Sequence, residues 1–422
     1  MQNKRIIPIL LIIFTNILGA GVIIPILPLY AQGQFQGSVF QITLLASAFF
    51  GAQFLAAPWL GRLSDRFGRR PLLLISQLGT VLSFILFIFA GDIGNIIDGF
   101  GWELAVSGGM IMLFTARILD GITGGNITIA QAYISDISSD EDRAQSLGML
   151  QAAFGAGFIF GPALGGILSN YGLVAPFIGA TIITVVTFLL TFFTLEESLP
   201  EDERSGAPAH LEEKHSLTWS EIFSTRALVL ILTIGFVASL AFSALPATFA
   251  LYANGVLFAD YQFPERIQLF IGLMLAFNGL MQVSTQIFWV RPLVKRFGER
   301  KLFAYGQLSI AISLLGLGIS QGPVVATLFL APFAFGFGVG EPSTQSLVTR
   351  FGGRNLRGYL LGLYQSARSL ALIFGPIGAG YIYQNVQPRA VYLIGAALLV
   401  VAFVGALRLQ NMPVEEIKQV QS

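Results

Sequence analysis

The chain has 422 residues, of which 54% are hydrophobic and only 11% are charged, and its mean hydropathy is +0.73. Ordinary soluble domains carry about 25% charged residues, so this composition excludes a water-soluble protein and indicates a membrane protein. The absence of cysteine excludes disulfides and thiolate chemistry. The sequence also lacks a P-loop, so any active transport must draw on an ion gradient.

Apolar runs of 20 residues or more predict membrane-spanning helices, because about 20 helical residues cross the hydrocarbon core. Barrel strands would alternate apolar and polar residues over about ten positions. The first run is too long for a signal-peptide core and is interpreted as an uncleaved span. We therefore predict an all-α membrane protein with twelve spans, at 6–30, 39–61, 71–91, 104–135, 144–169, 174–195, 225–254, 267–291, 301–320, 324–349, 357–383 and 390–408.

The distribution of positive charge predicts the orientation in the membrane. If both termini are cytoplasmic, the inside loops and tails hold 20 of the 24 Lys and Arg residues. The outside then holds only Arg266 and Arg389, and the outer loop after span 3 is acidic, with Asp92, Asp98 and Glu103. We predict a multi-pass plasma (inner) membrane protein with both termini inside.

The chain divides into two related halves. We predict an N-terminal half at 1–195, a cytoplasmic linker at 196–224, which contains both histidines, His210 and His215, and a C-terminal half at 225–422. The segment 143–166 recurs with an offset of 214 residues, and Asp65–Arg70 returns as Lys295–Arg300, an offset of 230. Two six-span repeats of the same orientation are typical of secondary transporters, whose substrate site lies between the halves.

Three motifs stand out, one in the loop after span 2, one in span 4 and one in span 5. The loop motif runs from Gly61 to Pro71; its glycines favour close turns, and its acidic Asp65 is not explained by membrane anchoring. In span 5, glycines recur at four-residue spacing and predict close helix packing. The motif residues are Gly61, Asp65, Arg66, Gly68, Arg69 and Arg70 in the loop, Leu113, Arg117, Gly121, Gly124 and Gly125 in span 4, and Gly157, Gly161, Pro162, Gly165 and Gly166 in span 5.

These motifs resemble the signatures of the major facilitator superfamily: its G-x-L-x-D-R-x-G-R-[RK] loop, its span 4 arginine motif and its span 5 antiporter motif. Gln131–Ile137 and Gly19-x-Gly21-x3-Pro25-x2-Pro28 are similar to tetracycline-efflux-type drug:proton antiporters. The resemblance implies the twelve-span fold in two pseudo-repeats, alternating access, and proton-coupled efflux of small drug-like compounds, as in drug resistance. It also implies, with the placement at helix ends, a cytoplasmic conformational latch of Asp65, Arg69, Asp136 and Arg143, for which surface anchoring is the alternative.

Four charged residues fall inside predicted spans, where each costs about 2.5–3.5 kcal/mol on insertion scales. Arg117 and Asp120 are three residues apart and share a helix face, where they can pair. Glu341 in span 10 is expected to have Arg368 of span 11 as its counter-ion. Because an apolar setting favours the protonated form of a carboxyl group, our hypothesis is that Asp120 and Glu341 bind protons during exchange. For both pairs, a purely structural ion pair is the alternative.

The chain departs from the tetracycline-efflux pattern at two positions. Where that family has aspartates in spans 1 and 3, this chain has Asn16 and Ser83, which cannot titrate. Proton binding would therefore pass to Asp120, Glu341 or both. The expected substrate cavity is apolar with few polar groups, and its candidates are Asn16, Gln53, Asn126, Phe236, Gln282, Gln345 and Gln365, with Phe49 and Tyr364 as further wall residues.

Two functions remain as alternatives to drug efflux. One is a uniporter or proton symporter of a metabolite or lipid, which the missing aspartates allow. The other is a non-transporting membrane sensor, which usually carries an added soluble domain. An enzyme is not expected, because no nucleophile motif or His/Cys constellation occurs. We expect no cofactor beyond the proton gradient, no metal and no nucleic acid partner, and a monomer in the bilayer that binds a small molecule and protons.

Overall fold

The structure, a computed structural model, describes residues 2–100, 106–138, 142–199, 204, 219–263, 266–351, 356–410 and 412, without the side chains of 2–5, 126, 143–145, 147 and 219–221. Most of the predicted linker 196–224, with His210 and His215, lies outside the described residues, as do Glu103 and Arg354. The described part is all-α and contains no strand, as the apolar runs predict.

By packing, the chain divides into two compact units. The first consists of Met1–Ala207 with Ala259–Gly279, and the second of Pro208–Phe258 with Leu280–Ser422. Up to residue 199 the helices are α1 (Gln2–Ile23), α2 (Leu27–Phe35), α3 (Val39–Phe67), α4 (Arg69–Ile88), α5 (Ala90–Gly99), α6 (Gly108–Thr123), α7 (Asn126–Ile137), α8 (Arg143–Leu168) and α9 (Ala175–Thr194). From residue 219 they are α10 (Trp219–Ser224), α11 (Arg226–Tyr252), α12 (Ile267–Ser284), α13 (Val290–Phe297), α14 (Glu299–Ile319), α15 (Pro323–Thr349), α16 (Arg357–Asn385) and α17 (Pro388–Leu409).

Among the described residues, ten helical stretches are long and apolar enough to cross a membrane. They correspond to the predicted spans except 104–135 and 357–383. Span 11 is present as the continuous helix α16, which is 29 residues long. One turn of this helix contains the polar residues Gln365, Ser366 and Arg368, which lower its hydropathy. Large apolar side chains such as Leu55, Trp59 and Phe193 are exposed, as in a protein whose outer surface faces lipid.

Span 4 is not the continuous helix that its apolar run predicts. It breaks at Gly124 and Gly125 into α6 and α7, and the break leaves backbone carbonyls without their helical donors. Gln53 Nε2 of α3 donates to the carbonyl of Gly124 at 2.7 Å, and Ser76 Oγ of α4 donates to that of Thr123. Side chains of two neighbouring helices therefore donate hydrogen bonds to the carbonyls at the break.

The predicted loop after span 2 is shorter than expected. Helix α3 continues through Gly61 to Phe67, so the expectation of a turn at Gly61 is wrong. The turn is made at Gly68, whose φ of +103° favours glycine, and α4 begins at the next residue. The outer loop expected after span 3 contains a helix in its first part, because Ala90–Gly99 form α5.

Helix α8 packs through its glycines on two sides within the first unit. A Cβ on Gly157 would lie 2.8 Å from Ile17 Cβ, and one on Gly161 would lie 2.7 Å from Gly21 Cα, so this face meets α1 at backbone distance. On another face, a Cβ on Gly166 would lie 3.0 Å from Leu269 Cα of α12. The predicted packing role of these glycines is confirmed, and the second face explains why Ala259–Gly279 belongs to the first unit.

Candidate functional site

The first intramembrane charge cluster lies on α3, α4 and α6. Arg117 Nη1 is 3.5 Å from Asp120 Oδ2, so the predicted pair forms, and both side chains are largely buried, at 18% and 11% exposure. Thr80 Oγ1 donates to Asp120 Oδ1 at 3.0 Å. The Arg117 guanidinium also lies 5.2 Å from the centre of the Phe49 ring and 5.9 Å from that of Phe87, at cation–π distance.

Close helix packing holds this cluster in place. A Cβ on Gly121 would overlap the Phe49 carbonyl oxygen, and a Cβ on Gly79 would overlap the Thr123 side chain. Close approach at Gly121 and Gly79 therefore brings α3 and α4 against α6, the helix that carries Asp120. Arg117 Nε is buried and has no hydrogen-bond partner among the described residues, so the pair leaves one donor of the guanidinium unsatisfied.

The second cluster lies on α15 and α16 in the second unit. Arg368 Nη1 is 3.4 Å from Glu341 Oε1, which is the predicted counter-ion arrangement, with side-chain exposures of 24% and 15%. Tyr364 donates its hydroxyl to Glu341 Oε2 at 2.7 Å, and Gln345 Nε2 donates to Oε1 at 2.9 Å. The Tyr364 ring packs against Gly235 of α11, where a Cβ would lie 2.7 Å from its Cε2.

The two clusters share three kinds of group, and the second has the Gln345 amide in addition. Each contains one carboxylate, one arginine at 3.4–3.5 Å and one hydroxyl donor on the other carboxylate oxygen. Charge-assisted hydrogen bonds are normally 2.7–2.9 Å long, so the arginines are close enough to neutralise the carboxylates without clamping them. The hydroxyl partners, Thr80 and Tyr364, were not predicted; Tyr364 was expected only as a cavity wall residue. A repeat comparison could not find them, because the two clusters lie at different positions in the repeats.

The positions where the tetracycline-efflux pattern has aspartates are occupied differently. Asn16 is half-buried in α1, whereas Ser83 is fully buried and donates its hydroxyl to the carbonyl of Gly79 in its own helix. Ser83 is thus satisfied by its own helix. Neither residue lies within hydrogen-bonding distance of Asp120 in the described contacts.

At the start of α4, Arg69 joins three polar side chains in an ion-pair network. Its Nη1 lies 2.5 Å from Asp65 Oδ1 and donates to Ser64 Oγ at 3.0 Å, while its Nε lies 3.1 Å from Asp136 Oδ2. Asp136 also accepts from Ser198 Oγ at 2.9 Å. Three of the four latch residues expected from the sequence therefore meet.

The other charged residues of the predicted latch are Arg143, Arg66 and Arg70. Arg143 is the first residue of α8, but its side chain lies outside the part of the chain that the structure describes. Arg66 Cζ lies 5.3 Å from the centre of the neighbouring Phe67 ring. Arg70 Nη2 donates to the carbonyl of Phe192 near the end of α9, at 2.6 Å.

Glu197 also contacts Arg69, and the sequence reasoning missed it. Its carboxylate accepts from the backbone N–H groups of Arg69 at 2.8 Å and Arg70 at 3.1 Å, which are the free donors at the start of α4. It also occupies the space beside Gly68 where a side chain would stand. In sequence Glu197 is one of several acidic residues at the start of the linker, and only its position at a helix N-terminus distinguishes it.

The second unit has a related ion pair with its charges exchanged. Glu299 Oε2 lies 2.7 Å from Arg350 Nη2. With the repeat offsets of 230 and 214 residues, Glu299 corresponds to Arg69 and Arg350 to Asp136. The basic partner of the first unit is thus acidic in the second, and the reverse holds for the other residue.

The cavity candidates fall in both units. In the first, Asn16 and Gln53 are half-buried, Gln53 is engaged with the Gly124 carbonyl, and the Asn126 side chain lies outside the described part. In the second, Gln345 and Gln365 are exposed, Phe236 and Gln282 are half-buried, and Gln345 contacts Glu341. No cluster of three or more His, Cys, Asp or Glu residues that could hold a metal ion occurs among the described residues.

Two related helical units with paired charges inside their spans are typical of secondary transporters. The model of the Major Facilitator Superfamily matches residues 9–263 and 266–421, and the chain belongs to this family. It is therefore a twelve-helix transporter in two pseudo-repeats and not an enzyme, in agreement with the sequence prediction.

Known relatives agree with this assignment. The chain is 30% identical to the tetracycline resistance protein, class C, of Escherichia coli over 95% of this chain and 96% of that protein. It is 27% identical to multidrug resistance protein 2 of Bacillus subtilis over 90% of each. Among solved structures, that of a D-xylose-proton symporter has a TM-score of 0.75 at 19% identity, covering 97% of this chain and 98% of that one, and shows the shared fold. The predicted resemblance to tetracycline-efflux-type transporters is confirmed.

Proposed function

We propose that this protein is a proton-coupled antiporter that exports small amphiphilic, drug-like compounds, with Asp120 and Glu341 as the proton-binding groups. The observation that carries the proposal is the shared composition of the two clusters: a carboxylate, an arginine and a hydroxyl donor inside the spans. The relatives named for tetracycline and multidrug resistance support the substrate class.

The chemistry follows from the two states of each carboxylate. When it is ionised, the arginine neutralises it and the hydroxyl donates to it. When it binds a proton, the arginine loses its counter-charge inside the membrane, where an unpaired charge costs several kcal/mol. Protonation therefore favours a conformation in which Arg117 or Arg368 finds water or an anionic group, and this change couples proton binding to alternating access.

We place both termini in the cytoplasm, because that orientation puts 20 of the 24 Lys and Arg residues inside. The Arg69 network then lies on the cytoplasmic side, and we assign Asp65, Arg69, Asp136 and Arg143 to a conformational latch. Asn16 and Ser83 make tetracycline itself a weaker candidate than the wider class of amphiphilic compounds. The remaining cavity candidates, Gln53, Asn126, Phe236, Gln282, Gln345 and Gln365, are proposed to contact substrate.

The test is transport in proteoliposomes of purified protein with an imposed pH gradient and ethidium as the amphiphilic probe. In Asp120→Asn, in Glu341→Gln and in the double variant, we expect gradient-driven transport to fall to background while downhill counterflow of the probe persists. Asp92→Asn is the matched control, because Asp92 is an exposed carboxylate on α5 and should leave both activities unchanged. Undiminished gradient-driven transport in the double variant would reject the proton-binding role.

The replacement of the family aspartates by Asn16 and Ser83 favours a second candidate, a uniporter of a metabolite or lipid. The same proteoliposomes separate the two. A uniporter carries out counterflow at the same rate with and without the pH gradient, and its Asp120→Asn and Glu341→Gln variants show no change in pH dependence.

A further inference from the structure

The Arg117 guanidinium in the first unit has aromatic neighbours as well as its ion pair. Asp120, at 3.5 Å, is the only acidic group within ion-pair distance of it among the described residues. Its buried Nε has no hydrogen-bond partner there. The guanidinium also lies over two rings, with its Cζ 5.2 Å from the centre of Phe49 and 5.9 Å from that of Phe87. The face of an aromatic ring attracts a cation, and the attraction is stronger where water is excluded.

We propose that Phe49 and Phe87 form an aromatic cradle, which holds the Arg117 cation in place when Asp120 binds a proton. This inference rests on the proposed function, in which Asp120 and Glu341 bind the protons. A buried arginine that loses its counter-charge is strongly disfavoured, and the two ring faces offer it a second partner that does not titrate. The first cluster can then take up a proton without moving its arginine.

Helix packing fixes both rings of the cradle. Gly121 lies one turn after Arg117 on α6, and a Cβ there would overlap the Phe49 carbonyl oxygen. The missing side chain therefore lets α3 bring the Phe49 ring to the guanidinium. Phe87 of α4 is fully buried, and its ring lies 5.4 Å from that of Phe177 on α9. The cradle is thus preorganised, and its two phenylalanines are positioning residues, because they act on the proton site through the arginine.

The second cluster has no equivalent of the cradle. Arg368 pairs with Glu341, and no ring lies at cation–π distance from it in the part of the chain that the structure describes. At the equivalent positions of the second repeat, Ala331 and Leu317 stand where the first repeat has its arginine and its buried ring. Loss of the Glu341 charge therefore leaves Arg368 without a described partner. The second cluster, and not the first, drives the change of conformation when it binds a proton.

The test of the cradle is a double-mutant cycle of thermal unfolding with purified protein in detergent. Asp120→Asn removes the counter-charge at nearly constant shape, and Phe87→Leu removes a ring face but keeps an apolar side chain. With the cradle intact, Asp120→Asn should lower Tm only slightly. In the Phe87→Leu background the loss of Tm should be about twice as large, because Arg117 then lacks both the carboxylate and one ring. Phe49→Leu, at a half-buried position, should show the same coupling and replaces Phe87→Leu if that variant does not fold.

Phe154→Leu is the matched control, because the Phe154 ring is half-buried in α8 of the same unit and stacks on Phe158 rather than on Arg117. Its loss of Tm and that of Asp120→Asn should simply add. Additive losses with the cradle variants as well would overturn the proposal. The cycle does not involve transport, so this failure is distinct from a failure of the proposed function, which the proteoliposome assay reports separately.

A distance measurement tests the different roles of the two clusters. The chain has no cysteine, so Arg62→Cys with Lys295→Cys, both at exposed positions, places two spin labels for double electron–electron resonance. Glu341→Gln should shift the distribution of distances between the labels, whereas Asp120→Asn should leave it as in the parent. Asp120→Asn combined with Phe87→Leu should shift it. Equal distributions in Asp120→Asn and Glu341→Gln would overturn the assignment of the conformational change to the second cluster.

Discussion

A carboxylate inside a membrane span is tolerated only with partners, and each of the two here has an arginine and a hydroxyl. The hydroxyls differ in kind: Thr80 is a short aliphatic donor, whereas Tyr364 is an aromatic donor that packs against Gly235. The distance to Tyr364 is also the shorter, at 2.7 Å against 3.0 Å. The Tyr364 hydroxyl is therefore the closer of the two donors to its carboxylate.

Removing that hydroxyl should change the pH dependence of transport without changing packing. A hydrogen bond to a charged group is worth about 1.5 kcal/mol. In Tyr364→Phe, the Glu341 carboxylate loses the hydroxyl that donates to it at 2.7 Å, while the ring is kept. We expect the midpoint of the transport pH profile to differ from that of the parent, measured in proteoliposomes across a pH series.

Tyr381→Phe is the control for this prediction, because Tyr381 lies on the same helix with its side chain exposed. It should leave the midpoint unchanged. A midpoint in Tyr364→Phe equal to that of the parent would show that Glu341 does not set the pH dependence.

At the scale of the element, the glycines of helix α8 allow other helices to pack closely on two of its sides. Gly157, Gly161 and Gly165 let α1 approach to backbone distance, and Gly166 does the same for α12. The antiporter motif of span 5 is thus a packing surface in this structure. Helix association in membranes relies on such close van der Waals contact, since apolar burial alone gives no preference over lipid.

A pair of glycine substitutions in α8 separates packing from helix propensity. In Gly165→Ala, the new methyl group would overlap the Val22 carbonyl oxygen, so we expect a loss of about 1–3 kcal/mol in stability. In Gly148→Ala, the methyl group meets no described atom within 4 Å, so helix propensity should add about 0.5–1 kcal/mol. Thermal unfolding in detergent measures both, and shifts of the same sign would contradict the packing assignment.

At the scale of the whole molecule, the two repeats share positions but not charges. The Arg69–Asp136 pair of the first unit corresponds to Glu299–Arg350 in the second. Each unit thus keeps an ion pair at the equivalent positions, although every charge is reversed. Both repeats therefore pair one acidic and one basic residue at these positions, although the residues themselves differ.

The second pair should tolerate a further exchange of its charges. Glu299→Arg and Arg350→Glu each bring like charges together and should lower Tm, whereas the double variant should recover most of the loss. Because Arg350 is half-exposed, the coupling energy should be only about 0.5–1 kcal/mol. A double-mutant cycle of thermal unfolding measures this, and losses that simply add would show that the pair does not interact.

The matching exchange in the first unit, Arg69→Asp with Asp136→Arg, is the comparison. It should not recover, because Arg69 also pairs with Asp65, and an aspartate at position 69 would bring two carboxylates together.

Much of this protein could be predicted from the sequence because the bilayer imposes simple rules. Span length gave the all-α architecture, and the cost of intramembrane charge singled out Arg117, Asp120, Glu341 and Arg368. Their pairing was also predictable, because three-residue spacing or a neighbouring span limits the choice of partner. Such inferences need only hydropathy, charge and helical periodicity.

The tertiary structure alone decided which polar groups complete each site. The break at Gly124 is stable because donors from α3 and α4 meet its carbonyls, and hydropathy records neither donor. Thr80, Tyr364 and Glu197 reach their partners across helices or from the linker, so no local pattern marks them. A membrane sequence determines where its helices cross and which charges need partners; the hydrogen bonds that satisfy them are decided by which helices pack closely, through contacts between residues far apart in the chain.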